Sequence, residues 1–247
     1  MRTTGTMGEL RSLLEQKGFA ETLADFEAEC DSPLPTGFPE LDQQLGGGFP
    51  RGEISECLGA VSLGCTSLSL SLLAQATSRG ELAAYIDASG SLNPDSAEQT
   101  GVVLEHLLWV RCGSRNDSPG QRSGHAAHTA QIWKAANLVA AAGGFGLIVM
   151  DLIGLPPRQL RELQRSPWFG LRQTIAGGPA AVFVLAAEHV AGSVAAQTLS
   201  LRREKTRWRG QSGVSLHLAG VSVQATVLHQ RRVRERKNIS CPLEIRR

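Results

Sequence analysis

The sequence predicts an α/β fold: a mostly parallel, twisted sheet flanked by helices and finished by antiparallel strands near the C-terminus. Three observations predict it. Continuous apolar runs at Leu82–Asp87, Gly146–Asp151 and Pro179–Ala187 suit strands buried on both faces, the pattern of a parallel sheet. Helix-patterned segments separate these runs, as crossovers between parallel strands must. From Thr198 onward the pattern changes to closely spaced short strands, the mark of antiparallel pairing.

Taken in order, Leu10, Leu13, Leu14 and Phe19 recur at helical spacing and predict a short amphipathic helix. Residues 28–40 carry Pro33, Pro35, Gly37 and Pro39 and read as an irregular lead-in. Gly46–Gly52 is a turn, Glu53–Leu58 a strand, Gly59–Gly64 a glycine-bounded loop and Thr66–Thr77 a Leu-rich helix. The strand Leu82–Asp87, a helix around Ala97–Thr100 and a strand at Leu107–Arg111 follow. Gly113–Gly124 is polar and reads as a mobile surface loop. Ala126–Ala142 is an Ala-rich helix, and Gly146–Asp151 a strand with a carboxylate at its C-terminal end. After the buried strand Pro179–Ala187, Thr198–Arg203, Val214–Leu218 and Val221–Leu228 read as three successive antiparallel strands.

Composition narrows the class. The 247 residues, 42% hydrophobic and 19% charged, fit one large domain or two small ones. No apolar run approaches the ~20 residues of a membrane span, and the first residues lack the apolar core of a secretory signal. The five cysteines form no C-x-x-C pair and show no zinc spacing, and His125 and His128 sit in a polar stretch without cysteine partners. A reduced, cytoplasmic protein without membrane contact and without a metal site is the expectation.

The net charge of +2 conceals an asymmetry: residues 201–247 carry +9 and residues 1–200 carry −7. Such a basic segment suits an anionic partner, nucleic acid or an acidic protein surface, and equally a solvated strand face. Its densest part is Arg202, Arg203, Lys205, Arg207 and Arg209 around Trp208, with Arg231 and Arg232 further on. A second basic stretch sets Arg158, Arg161 and Arg165 at helical spacing, followed by Trp168 and Phe169. A basic helix face beside exposed aromatics can meet phosphates and stack on bases. The alternative is a helix packed by Leu160 and Leu163 with its arginines in solvent.

Between a strand and a helix, Gly59-Ala-Val-Ser-Leu-Gly64-Cys65-Thr66 keeps the frame of a phosphate loop. In such a loop glycines let backbone N–H groups curl around phosphates at a helix N-terminus, a lysine supplies a fixed cation, and Ser/Thr holds magnesium. The lysine position is Cys65, a neutral thiol. Gly59, Gly64, Cys65, Thr66 and Ser67, with Asp151 where a Walker-B carboxylate would stand, make a degenerate nucleotide site. No cofactor is expected there, although weak ATP–magnesium binding through backbone amides stays open, as does a reactive thiol at Cys65.

Thr36-Gly37-Phe38-Pro39-Glu40-Leu41-Asp42 and Leu45-Gly46-Gly47-Gly48-Phe49-Pro50-Arg51-Gly52-Glu53-Ile54 resemble the opening of the RecA ATPase core. Tyr85–Pro94 resembles the RecA strand that ends in the catalytic glutamate, Leu147–Asp151 its Walker-B strand, and Arg236–Leu243 the end of the core. The resemblance implies an N-terminal helical segment and lead-in over residues 1–33 and one RecA-like domain over 34–247. Three departures accompany it: Cys65 for the lysine, Ser89 for the catalytic glutamate, and a short Glu188–Ser193 segment without Arg or Lys where the recombinase has a DNA-binding loop. A serine hydroxyl is a far weaker base than a carboxylate. This combination resembles the ImuA family, RecA-like proteins of bacterial translesion mutagenesis cassettes under SOS control. The resemblance implies a non-catalytic adaptor whose partners are RecA, an ImuB-like polymerase homologue, a C-family error-prone polymerase and DNA. The alternative is an active ATP-dependent DNA-binding ATPase with an unorthodox P-loop.

Overall fold

The computed structural model describes residues 7–14, 16–17, 32–112, 122–163, 167–209, 217–231 and 240–246. Among them the helices are α1 (Met7–Leu14), α2 (Pro39–Leu45), α3 (Cys65–Thr77), α4 (Pro94–Gln99), α5 (Arg122–Ala142), α6 (Pro157–Leu163) and α7 (Pro167–Ile175). The strands are β1 (Ile54–Leu58), β2 (Leu82–Asp87), β3 (Leu107–Arg111), β4 (Phe145–Asp151), β5 (Ala181–Ala186), β6 (Gln197–Arg209), β7 (His217–Gln230) and β8 (Ser240–Arg246). They form one sheet in the order β3-β2-β4-β5-β1-β6-β7-β8. From β3 to β6 every pairing is parallel; β7 and β8 extend the sheet antiparallel. The predicted α/β architecture is the observed one.

Every residue of β1, β2, β4 and β5 is buried, which is why β2, β4 and β5 read as continuous apolar runs, while β1 buries Ser55 and Glu56 as well. Alternation sorts their side chains into two cores. Ile54, Ala84, Ile86, Ile148, Met150 and Val184 pack under α5, α6 and α7 with Ile132, Trp133, Leu160 and Leu171. Cys57, Tyr85, Leu147, Val149, Phe183 and Leu185 face the opposite layer, under α2 and α3, with Leu41, Leu45, Leu68 and Leu72. Each fully buried Leu or Ile contributes about 1.5–3 kcal/mol, so a one-residue slip, which exchanges the two faces, is strongly disfavoured. α1 joins the first core through Leu14 and leaves Leu13 in solvent. Phe19, Cys30 and most of the 113–124 loop lie outside the described residues.

Several elements differ from the sequence expectation. The lead-in ends in helix α2: Pro39 occupies its first turn and Gly46 closes it with φ 75°, so residues that read as breakers are its start and stop signals. Thr36 N–H donates to Asp42 Oδ1 and fixes the entry. α5 begins at Arg122, placing His125 and His128 on a helix rather than in a loop. His128 has a structural role: one ring nitrogen lies 2.9 Å from the Cys112 carbonyl, the other 2.9 Å from Gln159 Nε2. The two strands expected at Val214–Leu218 and Val221–Leu228 are one, β7, which runs through Gly220 opposite Arg207; residues 214–216 lie outside the described residues. Gly220 marks a bulge, where the register shifts past Ala219, instead of a turn.

No helix among the described residues is long and apolar enough to cross a membrane.

Candidate functional site

The loops that follow β1, β2, β4 and β5 gather at the C-terminal edge of the parallel strands, where open α/β sheets build their sites. The first is the Gly59–Gly64 loop. Gly59 N–H donates to the Ala186 carbonyl at 3.0 Å, and Gly64 enters α3 at φ 98°, a conformation that favours glycine. Thr66 is exposed and Ser67 half-buried, both at a cavity mouth. Cys65 borders the same cavity. Its side chain is buried, with Sγ 3.5 Å from Cys57 Sγ on β1. A Cβ at position 59 would stand 2.5 Å from that sulfur, so Gly59 makes the room into which the thiol folds. The Cys65 hydrogen bond, and burial after it, push the Cys57 thiol well up from its ordinary value. The Cys65 thiol, considered above as a reactive group, is buried here beside a second thiol.

At the second loop Asp87 is wholly buried and accepts four hydrogen bonds. Gly90 and Ser91 N–H donate to Oδ1 at 2.7 and 3.0 Å; Leu92 N–H and the Trp109 indole donate to Oδ2 at 3.1 and 3.2 Å. The carboxylate thereby shapes the 88–92 loop, on which Ser89 is exposed. Asp151, one strand over and paired in register with Asp87, is equally enclosed. Its Oδ2 accepts from Tyr85 Oη at 2.7 Å and Ser91 Oγ at 2.9 Å, its Oδ1 from Ile153 N–H at 3.0 Å. Burial raises its pKa above the ordinary carboxylate value, with Asp87 adding to the rise and the three donors opposing it. Burial, then the Asp151 charge, pushes the Tyr85 phenol far up, so it remains a donor.

Glu56, in the middle of β1, is the carboxylate that sequence reasoning missed. It is fully buried, and it accepts from Val190 and Ala191 N–H at 2.6 and 3.0 Å while His189 Nδ1 lies 3.0 Å from Oε2. It pins the short segment after β5 to the sheet. An acid inside an apolar run was the available signal, because a buried carboxylate needs partners.

The predicted basic residues divide. Arg158 and Arg161 are exposed on α6 above buried Leu160 and Leu163, and Arg165 lies outside the described residues. Trp168, expected beside them as an exposed aromatic, is buried and donates its indole N–H to the Leu163 carbonyl at 2.6 Å; Phe169 is the exposed one. Arg231 is engaged internally: it donates to Glu53 and to the Ser193 and Val194 carbonyls, with Arg172 also on Glu53. Arg232 lies outside the described residues.

Arg202, Arg203, Lys205 and Trp208 are all exposed on β6, whose backbone also carries Arg207 and Arg209. Arg203 pairs with Val223 and Lys205 with Ser222, so Glu204 is the extra residue of a bulge. Ahead of it the odd residues Leu199 and Leu201 enter the core, and Arg203 continues their face; beyond it Thr206 and Trp208 do. These three, with Val221, wall a cavity of about 350 Å³ against the Ala60–Ser67 loop.

A strand–glycine loop–helix unit at the C-terminal edge of a parallel sheet, with an acid closing a strand two places away, defines the class of P-loop α/β proteins. Residues 17–153 match the RecA N-terminal domain family, and the chain belongs to that family. Curated relatives include Protein RecA of Thermus thermophilus, 37% identical over 144 residues, 58% of this chain and 38% of the relative. Protein RecA of Methylococcus capsulatus is 37% identical over 139 residues, 56% of this chain and 36% of the relative. Protein RecA of Rubrobacter xylanophilus is 36% identical over 144 residues, 58% and 38%. The chain thus spans less than half the length of these relatives.

Proposed function

We propose that this chain is a non-catalytic member of the RecA family, an accessory protein of the SOS response, DNA repair and error-prone translesion synthesis. It acts by binding partners, RecA and a translesion polymerase assembly of ImuB-like and C-family subunits among them, and DNA. The observation that carries the non-catalytic part is the state of the site's two charged positions. The thiol in place of the P-loop lysine is folded into the core on Cys57, and the Walker-B carboxylate is already engaged by Tyr85, Ser91 and Ile153.

A magnesium nucleotide does not fit these residues. Several phosphate charges would meet no fixed cation from the loop, and a metal at Asp151 would have to displace buried hydrogen bonds to a charged group, each worth about 1.5–3 kcal/mol. Ser89 offers no carboxylate to activate water. The role in damage tolerance rests on the family and on these departures, which are those of the ImuA resemblance.

The test is ATP binding and hydrolysis by the purified protein with magnesium, with and without single-stranded DNA, beside RecA as control. No turnover and no magnesium-dependent binding is the expected outcome, with capture of RecA and polymerase subunits in pull-downs. DNA-stimulated hydrolysis would refute the non-catalytic reading and establish the ATPase alternative.

A further inference from the structure

Val61 and Trp208 are, at 68% and 60% exposure, the most exposed large hydrophobic side chains among the described residues. They belong to elements far apart in sequence. Trp208 lines a cavity from β6, and the loop that carries Val61 borders the same cavity through Ala60 and Ser62. Single exposed apolar residues are ordinary, but an exposed tryptophan in the wall of a concavity marks a binding surface. Ile153, Val221 and Ala60 add apolar wall, so the volume of about 350 Å³ suits a large apolar side chain.

The charge of the cavity is as specific as its shape. Among the described residues Arg203 is the only ionised side chain in the lining, and none of them there is an acid. Among the described residues Arg203 forms no ion pair. A ligand that satisfies the cavity therefore joins a large apolar group to a carboxylate a few ångströms away. One guanidinium balances one carboxylate, in the bidentate geometry that arginine favours.

A polynucleotide fits less well. Strand alternation and the Glu204 bulge send Arg202 and Lys205 to the opposite face of β6 from Arg203, Thr206 and Trp208. Among the described side chains Arg203 thus stands apart from these two cations, and the cavity itself offers no row of cations along which a phosphate backbone could run.

We propose that this cavity docks an acidic peptide segment of a partner protein, anchored by a large apolar side chain against Trp208, at the edge of the Val61 loop, and by a neighbouring Asp or Glu on Arg203. The inference rests on the partner-binding reading above and names the surface and the chemistry of the partner. Trp208 is the expected hot spot, a rigid aromatic that loses little entropy on contact.

The test is selection of a displayed random peptide library on the full-length chain, followed by titration of the selected peptides. Enrichment of Asp or Glu beside Leu, Phe or Trp is expected. Affinity should fall by about tenfold or more in Trp208→Ala, Arg203→Glu and Val61→Asp, and stay near wild type in Arg202→Glu on the other face. All four positions are exposed, and matching circular dichroism melts verify that each variant folds. No such enrichment, or equal loss in Arg202→Glu and Arg203→Glu, overturns the proposal. Oligothymidylate binding that depends on Trp208 and displaces the peptides also overturns it, in favour of nucleic acid. ATP turnover in the same preparations reads on the non-catalytic assignment alone: turnover with peptide binding intact refutes that assignment and leaves the docking site.

Discussion

Tyr85→Phe tests the claim that Asp151 is a closed, structural carboxylate. The substitution removes one hydroxyl oxygen from a wholly buried ring between α3 and the sheet, along with the contact that Ser69 of α3 makes to that oxygen. The lost bond, 2.7 Å to Asp151 Oδ2, is the shortest of the three the carboxylate accepts. A hydrogen bond to a charged group contributes about 1.5–3 kcal/mol; allowing for the relief of not burying a phenol, a loss of about 2 kcal/mol is expected at pH 8. With a urea slope of about 2 kcal/mol per M for a chain of this size, the unfolding midpoint moves down by about 1 M.

The pH dependence is the discriminating part. Tyr85 favours the ionised form of Asp151, and burial favours the neutral form. Removing the phenol therefore raises the folded-state pKa further. The destabilisation is full where the wild-type carboxylate is ionised. It shrinks as pH falls through the raised pKa, because a protonated Asp151 has less need of the donor. Urea titrations of both proteins at pH 8 and pH 5, followed by tryptophan fluorescence, give the two differences. A loss below about 0.5 kcal/mol at both pH values, or one that grows toward acid, refutes the reasoning.

Other positions carry equally definite expectations. Glu56→Gln places an amide NH2 or a single carbonyl against three former donors and should cost about 3 kcal/mol in urea unfolding, with faster proteolysis between Glu188 and Val194. Arg51 and Glu81 form a buried pair at 2.8 Å, their side chains 6% and 5% exposed, so Arg51→Ala should cost about 3–5 kcal/mol while Arg51→Met with Glu81→Leu recovers most of it. Burial and the Asp87 charge push the Cys112 thiol up to about 11 from an ordinary 9.0. The folded state then holds a proton that the unfolded chain has lost. This contribution is full below pH 9 and declines as pH rises from 9 to 11. Cys112→Ala should flatten that decline in midpoint-against-pH measurements.

What was legible in the sequence was whatever one segment determines alone. Leu82–Asp87 and Leu107–Arg111 declare themselves as strands because their own side chains need burial, and the structure ends them at those residues. The phosphate-loop frame is likewise a matter of spacing within eight residues. Side-chain direction was not legible, because it is settled between segments. Cys65 points into the core because Gly59 leaves space and Cys57 receives its sulfur. Trp208 reaches the cavity because the ladder with β7 skips Glu204, and no local pattern in β6 announces that skip. Trp168 is buried because α7 turns it beneath the end of α6, where the Leu163 carbonyl takes its N–H.

The same distinction separates a missing residue from a closed site. The sequence records that a lysine and a glutamate are absent, and an absence of that kind can be repaired by a cation from elsewhere. The fold adds that the acid which remains, Asp151, is held by a phenol from β2 and a hydroxyl from the loop that Asp87 organises. A Cys65→Lys substitution therefore should not open a metal site: the lysine would have to leave the thiol's buried berth, and Asp151 would still face its three donors. A metal at Asp151 would have to displace contacts drawn from three different elements, each of which also holds the fold together. On the non-catalytic reading proposed above, the surface that carries function is the exposed strand and loop around Arg203 and Trp208.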